Sequence, residues 1–255
     1  MIEKKSPAQI EKMREAGRVV ARAHEAMEAA AGVGVTLREI DAVGAAVLAE
    51  HGATSPFLDY HPDWAPVPFP GVICASVNDA IVHGIPTDYA LQDGDLLSVD
   101  FGAVLDGWCG DAARSYVVGT PRPGDQELVD VTRAALDAGI AAARPGNTIG
   151  DIGYAVAKVA RDARVGILDD HGGHGIGSEM HMDPFIPNVG RRGKGMKLVP
   201  GLTIAIEPMF IADGRGSYTH DADGWTLRST KGARAAHWEH TIVITADGPQ
   251  ILTAL

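Results

Sequence analysis

With 255 residues, 45% of them apolar, the chain can fill a sizeable core without disulfides or metals as staples. Its 33 acidic residues outnumber 22 basic ones, and the resulting net charge of −11 repels a phosphate backbone, which argues against DNA as a partner. Only Cys74 and Cys109 occur, no basic and apolar leader opens the chain, and every apolar run stops short of the roughly 18 residues that span a bilayer. Those features argue against a secreted disulfide scaffold, and the expectation is a soluble protein of the reducing cytoplasm.

In chain order, the first predicted element is a helix from about Ser6 to Ala31. Ser6-Pro7 supplies an N-cap and first turn, and Ile10, Met13, Gly17, Val20, Ala21, His24 and Met27 recur at three- and four-residue spacing. A second helix should start at Thr36, with Glu39 in the capping-box position and Ile40, Val43 and Val47 on its apolar face. The piece from Pro62 to Pro70, with Pro66 and Pro68 between, reads as a rigid surface loop. Leu96 to Leu105, Asp106-Gly107 and Trp108 to Val118 read as strand, turn and returning strand. If Asp106 and Gly107 are the central turn residues, Asp111 faces Gly102 and Asp100 is its diagonal neighbour on the same face. Both carboxylates then enter one space, and the glycine opposite Asp111 is expected to leave room there for ions.

The stretch Gly146 to Ile152 repeats Gly34 to Ile40, with Asp151 in the place of Glu39 and Val159 in register with Val47. Gly94 precedes Asp100 at the same offset as Gly201 precedes Glu207, each across an apolar run. Two echoes in the same order suggest a duplicated helix-then-strand unit, hence one α+β domain over 1–255 with halves of roughly 1–120 and 121–255. Arg191, Arg192, Lys194 and Lys197 cluster between glycines; the preferred reading is a solvated loop, the alternative a contact with an acidic partner such as ribosomal RNA.

Alternation places Ser98, Asp100 and Gly102 on a small, polar face opposite Leu97, Val99 and Phe101, and Thr203, Ala205 and Glu207 alternate with Ile204 and Ile206 in the same way. Glu239 leads into the apolar run Thr241 to Ile244. One acid in an apolar strand signals an exposed face; four acids crowded together repel one another unless cations sit among them. His174, in His171-Gly172-Gly173-His174-Gly175-Ile176-Gly177, offers a nitrogen donor among glycines that permit close approach. No Gly-x-Ser-x-Gly elbow accompanies His171-Gly172-Gly173, and Gly193-Lys194 lacks the flanking residues of a P-loop, so serine hydrolysis and nucleotide binding find no support.

Taken in order, Asn78 to Pro86, Asp100 to Asp111, Gly173 to Gly177, Glu207-Pro208-Met209, Asp223 to Thr226 and Glu239 to Ile242 resemble the signatures of the bacterial, type I methionine aminopeptidases. The resemblance runs from the first helix to the last strand. It implies the pita-bread fold, two pseudo-symmetric halves with a central curved antiparallel sheet and flanking helices. It also implies two divalent ions, Co, Mn, Fe or Zn: one held by Asp111, His174, Glu207 and Glu239, the second by Asp100 with the shared Asp111 and Glu239. Glu207 would be the general base, and His83 and His181 would flank the scissile amide and its carbonyl oxygen. Tyr60, Phe69, Cys74, Met180 and Trp225, with Phe57 nearby, match the methionine pocket; Met180 stands where the family commonly has an aromatic, and the piece between Tyr60 and Phe69 is longer than the family's turn. The stretch from Glu207 to Glu239 is too short for the helical insertion of the type II enzymes. Implied partners are nascent polypeptides and peptides with N-terminal Met, met by a monomer near the ribosomal exit tunnel. The rival readings are a proline-directed aminopeptidase P or prolidase, and a pita-bread binding protein without catalysis.

Overall fold

The computed structural model describes residues 2–255. Helix α1 (Pro7–Ala30) is opened by Ser6, whose hydroxyl accepts from the Gln9 N–H while the Gln9 side chain accepts from the Ser6 N–H. Helix α2 (Leu37–Glu50) starts with the same box, formed by Thr36 and Glu39. Strands β1 (Ile73–Val77), β2 (Ala80–Val82), β3 (Asp95–Leu105) and β4 (Trp108–Val118) follow. Asp106 and Gly107 both take left-handed φ values, 49° and 78°, so the two-residue turn has the twist that keeps long strands paired. The register is the expected one, Gly102 opposite Asp111 and Asp100 opposite Ala113.

Helix α3 (Asp125–Ala142) is an element that the reading of the sequence passed over. Its signals were present: Gly124 before it, Asp125 and Glu127 in the first turn, and Leu128, Val129, Thr132, Ala135, Leu136 and Gly139 on one buried stripe. Helix α4 (Ile149–Ala163) opens where the repeat places it, with the Asp151 carboxylate accepting from the N–H and hydroxyl of Thr148. The remaining strands are β5 (Gly166–Ile167), β6 (Gly172–Gly175), β7 (Met182–Pro187), β8 (Thr203–Ile206), β9 (Met209–Ile211), β10 (Tyr218–His220), β11 (Leu227–Ser229), β12 (Ala235–His237), β13 (His240–Thr245) and β14 (Gly248–Ile251).

All strand pairs are antiparallel, in sheets of order β1-β3-β4, β10-β11-β2, β12-β9-β5 and β14-β13-β8-β6-β7. This is the mixed helix and antiparallel sheet arrangement of the pita-bread fold. Helices α1 and α2 bury Val20, Met27 and Ile40 against Ile73, Leu97, Val99 and Phe101 of the first sheet. Helices α3 and α4 bury Leu136 and Ile152 against Ile204, Ile206, Ile242 and Ile244 of the five-stranded sheet. The two layers meet edge to edge: Glu239 and Ala113 exchange both backbone hydrogen bonds, and Thr241 accepts from the Asp111 N–H and donates back to its carbonyl. The seam between the two sheets therefore lies where the acids are. Among the described residues no helix is long and apolar enough to cross a membrane.

Two expectations change. The Pro62–Pro70 piece is only partly a surface loop, because Ala65 and Phe69 are buried and its Trp64 ring packs on Trp225 at 4.9 Å. Nor does the glycine opposite Asp111 make room for ions: a Cβ on Gly102 would run into Met180, Pro56 and Phe57, so apolar side chains fill that space.

Candidate metal centre

Asp100 and Asp111 reach the site from the middle of β3 and β4, two residues off direct cross-strand pairing, so their side chains are diagonal neighbours on one face. Glu207 follows the last residue of β8, and Glu239 lies between β12 and β13, where the paired backbone with Ala113 sets it beside Asp111. Strand alternation from Thr203 thus carries to Glu207, although the residue itself is just past the ladder. Asn188 donates from its amide to the Glu207 carbonyl at 2.9 Å and holds that turn. His174 sits in β6 between glycines that tolerate no side chain: a Cβ on Gly173 would meet the Ala205 carbonyl, and one on Gly175 the Asp183 carbonyl. Its Nδ1–H donates to the Gly175 carbonyl at 2.9 Å, which leaves Nε2 as the free electron pair. Nε2 lies 3.7 Å from Asp111 Oδ2 and 3.8 Å from Glu207 Oε1.

Without cations this constellation is electrostatically unfavourable. Burial, then the neighbouring acids, push the Asp111 and Glu239 carboxyls well above the usual carboxylate range. Burial also raises Asp100 to about 7 and Glu207 to about 8. The histidines shift the other way, His174 to about 4 and His83 to about 3, with burial the leading cause in both, so each is neutral near pH 7. Asp100 Oδ1, Asp111 Oδ1, Glu239 Oε1 and His237 Nε2 are buried and have no hydrogen-bond partner. An unpaired buried acceptor costs about 1–3 kcal/mol, more if charged, so several around one point call for an electrophile. Asp111, His174 and Glu239 bring donor atoms within 4.8 Å of one another, and so do Glu207, His237 and Glu239. Carboxylate oxygens with imidazole nitrogen suit a first-row divalent ion.

The acids form the floor of a cavity of about 370 Å³ whose walls include Phe57, Tyr60, Trp64, Phe69, Cys74 and Trp225. Trp225 is the hub, its ring 5.1 Å from Phe69, 6.3 Å from Tyr60 and 6.5 Å from His83. Its indole N–H donates to the Val67 carbonyl at 2.9 Å, which ties the proline-rich segment over the cavity. His181 packs at a tilt against His174, ring centroids 4.5 Å apart, and lies beside Tyr60; His83 and His181 both line the cavity that holds the carboxylates. Cys74 pairs with Asp100 across β1 and β3; burial and the nearby carboxylates keep its thiol protonated, an apolar wall and not a nucleophile. Met180 is the one expected pocket residue absent from the lining. It packs behind the wall against Gly102, because β3 carries no side chain there.

The reading of the sequence missed Trp64 and His237 at this site. A tryptophan inside a proline-rich segment has no periodicity to mark it. For His237 a signal existed, since it lies two residues before Glu239 and the period of an extended chain puts both on one face.

The sequence model of metallopeptidase family M24 matches residues 11–246, nearly the whole chain and every residue of this centre. The chain belongs to metallopeptidase family M24. Membership implies the use of divalent metal, in keeping with the unpaired donors. Within M24 the chain is 45% identical to methionine aminopeptidase 1 of Mycobacterium tuberculosis over 99% of its own length and 95% of that protein's. It is 40% identical to methionine aminopeptidase 1 of Bacillus subtilis, over 99% of both. The crystal structure of methionine aminopeptidase from Rickettsia prowazekii superposes with a TM-score of 0.94 at 35% identity, over 99% of this chain and 100% of that one. The prolidase of Pyrococcus horikoshii shares the fold at a TM-score of 0.77 and 24% identity, this chain spanning 63% of its length.

Proposed function

We propose that this M24 protein is a methionine aminopeptidase that hydrolyses the first peptide bond of chains beginning with Met and a small second residue. The observation that carries the reading is the union of one apolar cavity with a floor of four carboxylates and the His174 imidazole, where buried oxygens of Asp100, Asp111 and Glu239 are unpaired. Asp100, Asp111, His174, Glu207 and Glu239 would hold two divalent ions, their four negative charges balanced by four positive ones. When bound, such ions acidify a water and neutralise charge on the carbonyl oxygen it attacks. Glu207, set between His174 and His237, would act as the general base, accepting a proton at its carboxylate and passing it toward the departing amine. His83 and His181, neutral in the cavity wall, donate hydrogen bonds to the amide nitrogen side and to the carbonyl oxygen as it gains charge. Phe57, Tyr60, Trp64, Phe69, Cys74 and Trp225 enclose a methionine side chain and exclude water around it.

Co, Mn, Fe and Zn ions all suit the donor set, and occupancy follows supply. Nascent chains in the cytoplasm, met by a monomer, are the natural substrates in this reading. Prolidase-like activity draws only on fold likeness, whereas methionine aminopeptidases match over full length. Assay of the purified protein on Met-Ala-Ser and Ala-Pro-Ala, with and without chelator, tests the proposal. Cleavage of the first alone, abolished by chelator and restored by Co²⁺ or Mn²⁺, is expected. Cleavage of Ala-Pro-Ala alone would favour the proline-directed reading, and a protein that binds metal but cuts neither would be a binding protein.

A further inference from the structure

The pair of donor triads at the centre is symmetrical in a way that the five expected ligands do not use. One triad is Asp111, His174 and Glu239; the other is Glu207, His237 and Glu239. Glu207 stands between two imidazoles, with Oε1 3.8 Å from His174 Nε2 and Oε2 3.5 Å from His237 Nε2. His237 is 2% exposed, and its Nε2 makes no hydrogen bond, Glu207 included. Among the described residues the other unpaired buried atoms at this centre are carboxylate oxygens of Asp100, Asp111 and Glu239, all expected ligands. An imidazole nitrogen in that company has the status of a ligand.

The backbone holds it there. Ser115 accepts from the His237 N–H at 2.9 Å and donates its hydroxyl proton to the His237 carbonyl at 2.8 Å; Ser98 bonds to Ser115 at 2.7 Å. Strand β12 pairs His237 with Met209 on its other edge. With both backbone groups engaged and Nε2 buried without a hydrogen bond, that nitrogen has the carboxylates of the metal centre as its polar neighbours.

We propose that His237 is a sixth ligand of the metal centre, binding through Nε2 on the Glu207 side, so that the centre holds two imidazoles and not one. The inference rests on the dinuclear reading above. Its consequence is metal preference: a second nitrogen donor favours Co²⁺ and Zn²⁺ over Mn²⁺ relative to a centre with one.

The experiment uses the full chain, stripped of metal and reloaded with Co²⁺, and counts exchangeable, hyperfine-shifted imidazole N–H resonances by proton NMR in water. Two are expected in the wild type, from His174 and His237, and one in His237→Gln. Equilibrium titration should show Co²⁺ affinity reduced about tenfold or more in His237→Gln, with Mn²⁺ affinity reduced less. His237→Asn gives the same comparison if the Gln variant does not fold, and the wild-type count needs no variant. A single shifted N–H in the wild type, or a variant with unchanged resonances and affinities, overturns the proposal and leaves the centre itself intact. Absence of any Co²⁺ binding by the wild type removes both this proposal and the metal-centre reading.

Discussion

Asp111 stands at the junction of two sheets, its backbone tied to Thr241 and its carboxylate among Asp100, Glu207 and Glu239. A shared ligand in such a position has no substitute in water, so Asp111→Ala should lose metal and peptidase activity together, by a thousandfold or more in kcat/KM. Elemental analysis after dialysis and a Met-Ala-Ser assay check this. The same change removes one of the mutually repelling buried acids. In the absence of metal, therefore, the variant should melt no lower than wild type at pH 8, an outcome opposite to that of a damaged core. His24, buried in α1 with Nε2 2.8 Å from the Ala112 carbonyl, is held down to about 3 by burial first and then by Arg114. Its neutral form belongs to the folded state. Stability from this group is complete above pH 6.5 and declines as pH falls toward 3, and His24→Gln should flatten the acid limb of a denaturation series over that window.

One helix start and one strand approach carry more of the fold than their length suggests. Thr36→Ala removes an exposed cap of α2 far from the acids; Tm should drop by roughly 2–4 °C with kcat and KM unchanged. Gly173→Ala is the contrasting case. Its methyl would collide with the Ala205 carbonyl, forcing β6 away from β8 and moving His174 with it. Displacements of about 1 Å at a reacting centre can reduce rate by about a hundredfold. Activity should thus fall far more than the accompanying loss of stability predicts, as kinetics beside thermal melting would reveal.

For the protein as a unit, metal content decides how stability responds to pH. Asp100, raised to about 7, and Glu207, raised to about 8, favour the protonated form in the folded chain, as do Asp111 and Glu239. Such groups stabilise below the unfolded carboxylate range and lose that contribution as pH rises through the folded values. Above pH 6.5 the histidines no longer oppose the trend. The chelated protein should therefore lose Tm between pH 6.5 and 8.5, at roughly 1.4 kcal/mol per unit for each carboxylate still titrating. The metal-loaded protein should hold its Tm there, and loading at pH 7 should release protons measurable with an indicator. A chelated protein whose Tm rises over that range would contradict the crowding of four acids at this centre.

Local chemistry alone was enough to place α1, α2 and α4, since capping boxes and three- and four-residue spacing act within a few residues of each other. The Asp106-Gly107 turn likewise set the β3–β4 register, because two left-handed residues admit one way of pairing the strands. The types of residue in the M24 signatures were readable in the same way, each motif being short and contiguous. What folding in three dimensions decided was which of these pieces meet. The seam that sets Glu239 against Ala113 joins residues more than a hundred positions apart, and no periodicity encodes such a contact. The same holds for Trp64 closing over Trp225, for Met180 occupying the space beside Gly102, and for His237 turning toward Glu207. Each depends on packing between distant segments, where the burial of side chains and the pairing of sheet edges select one arrangement from many that the local pattern allows.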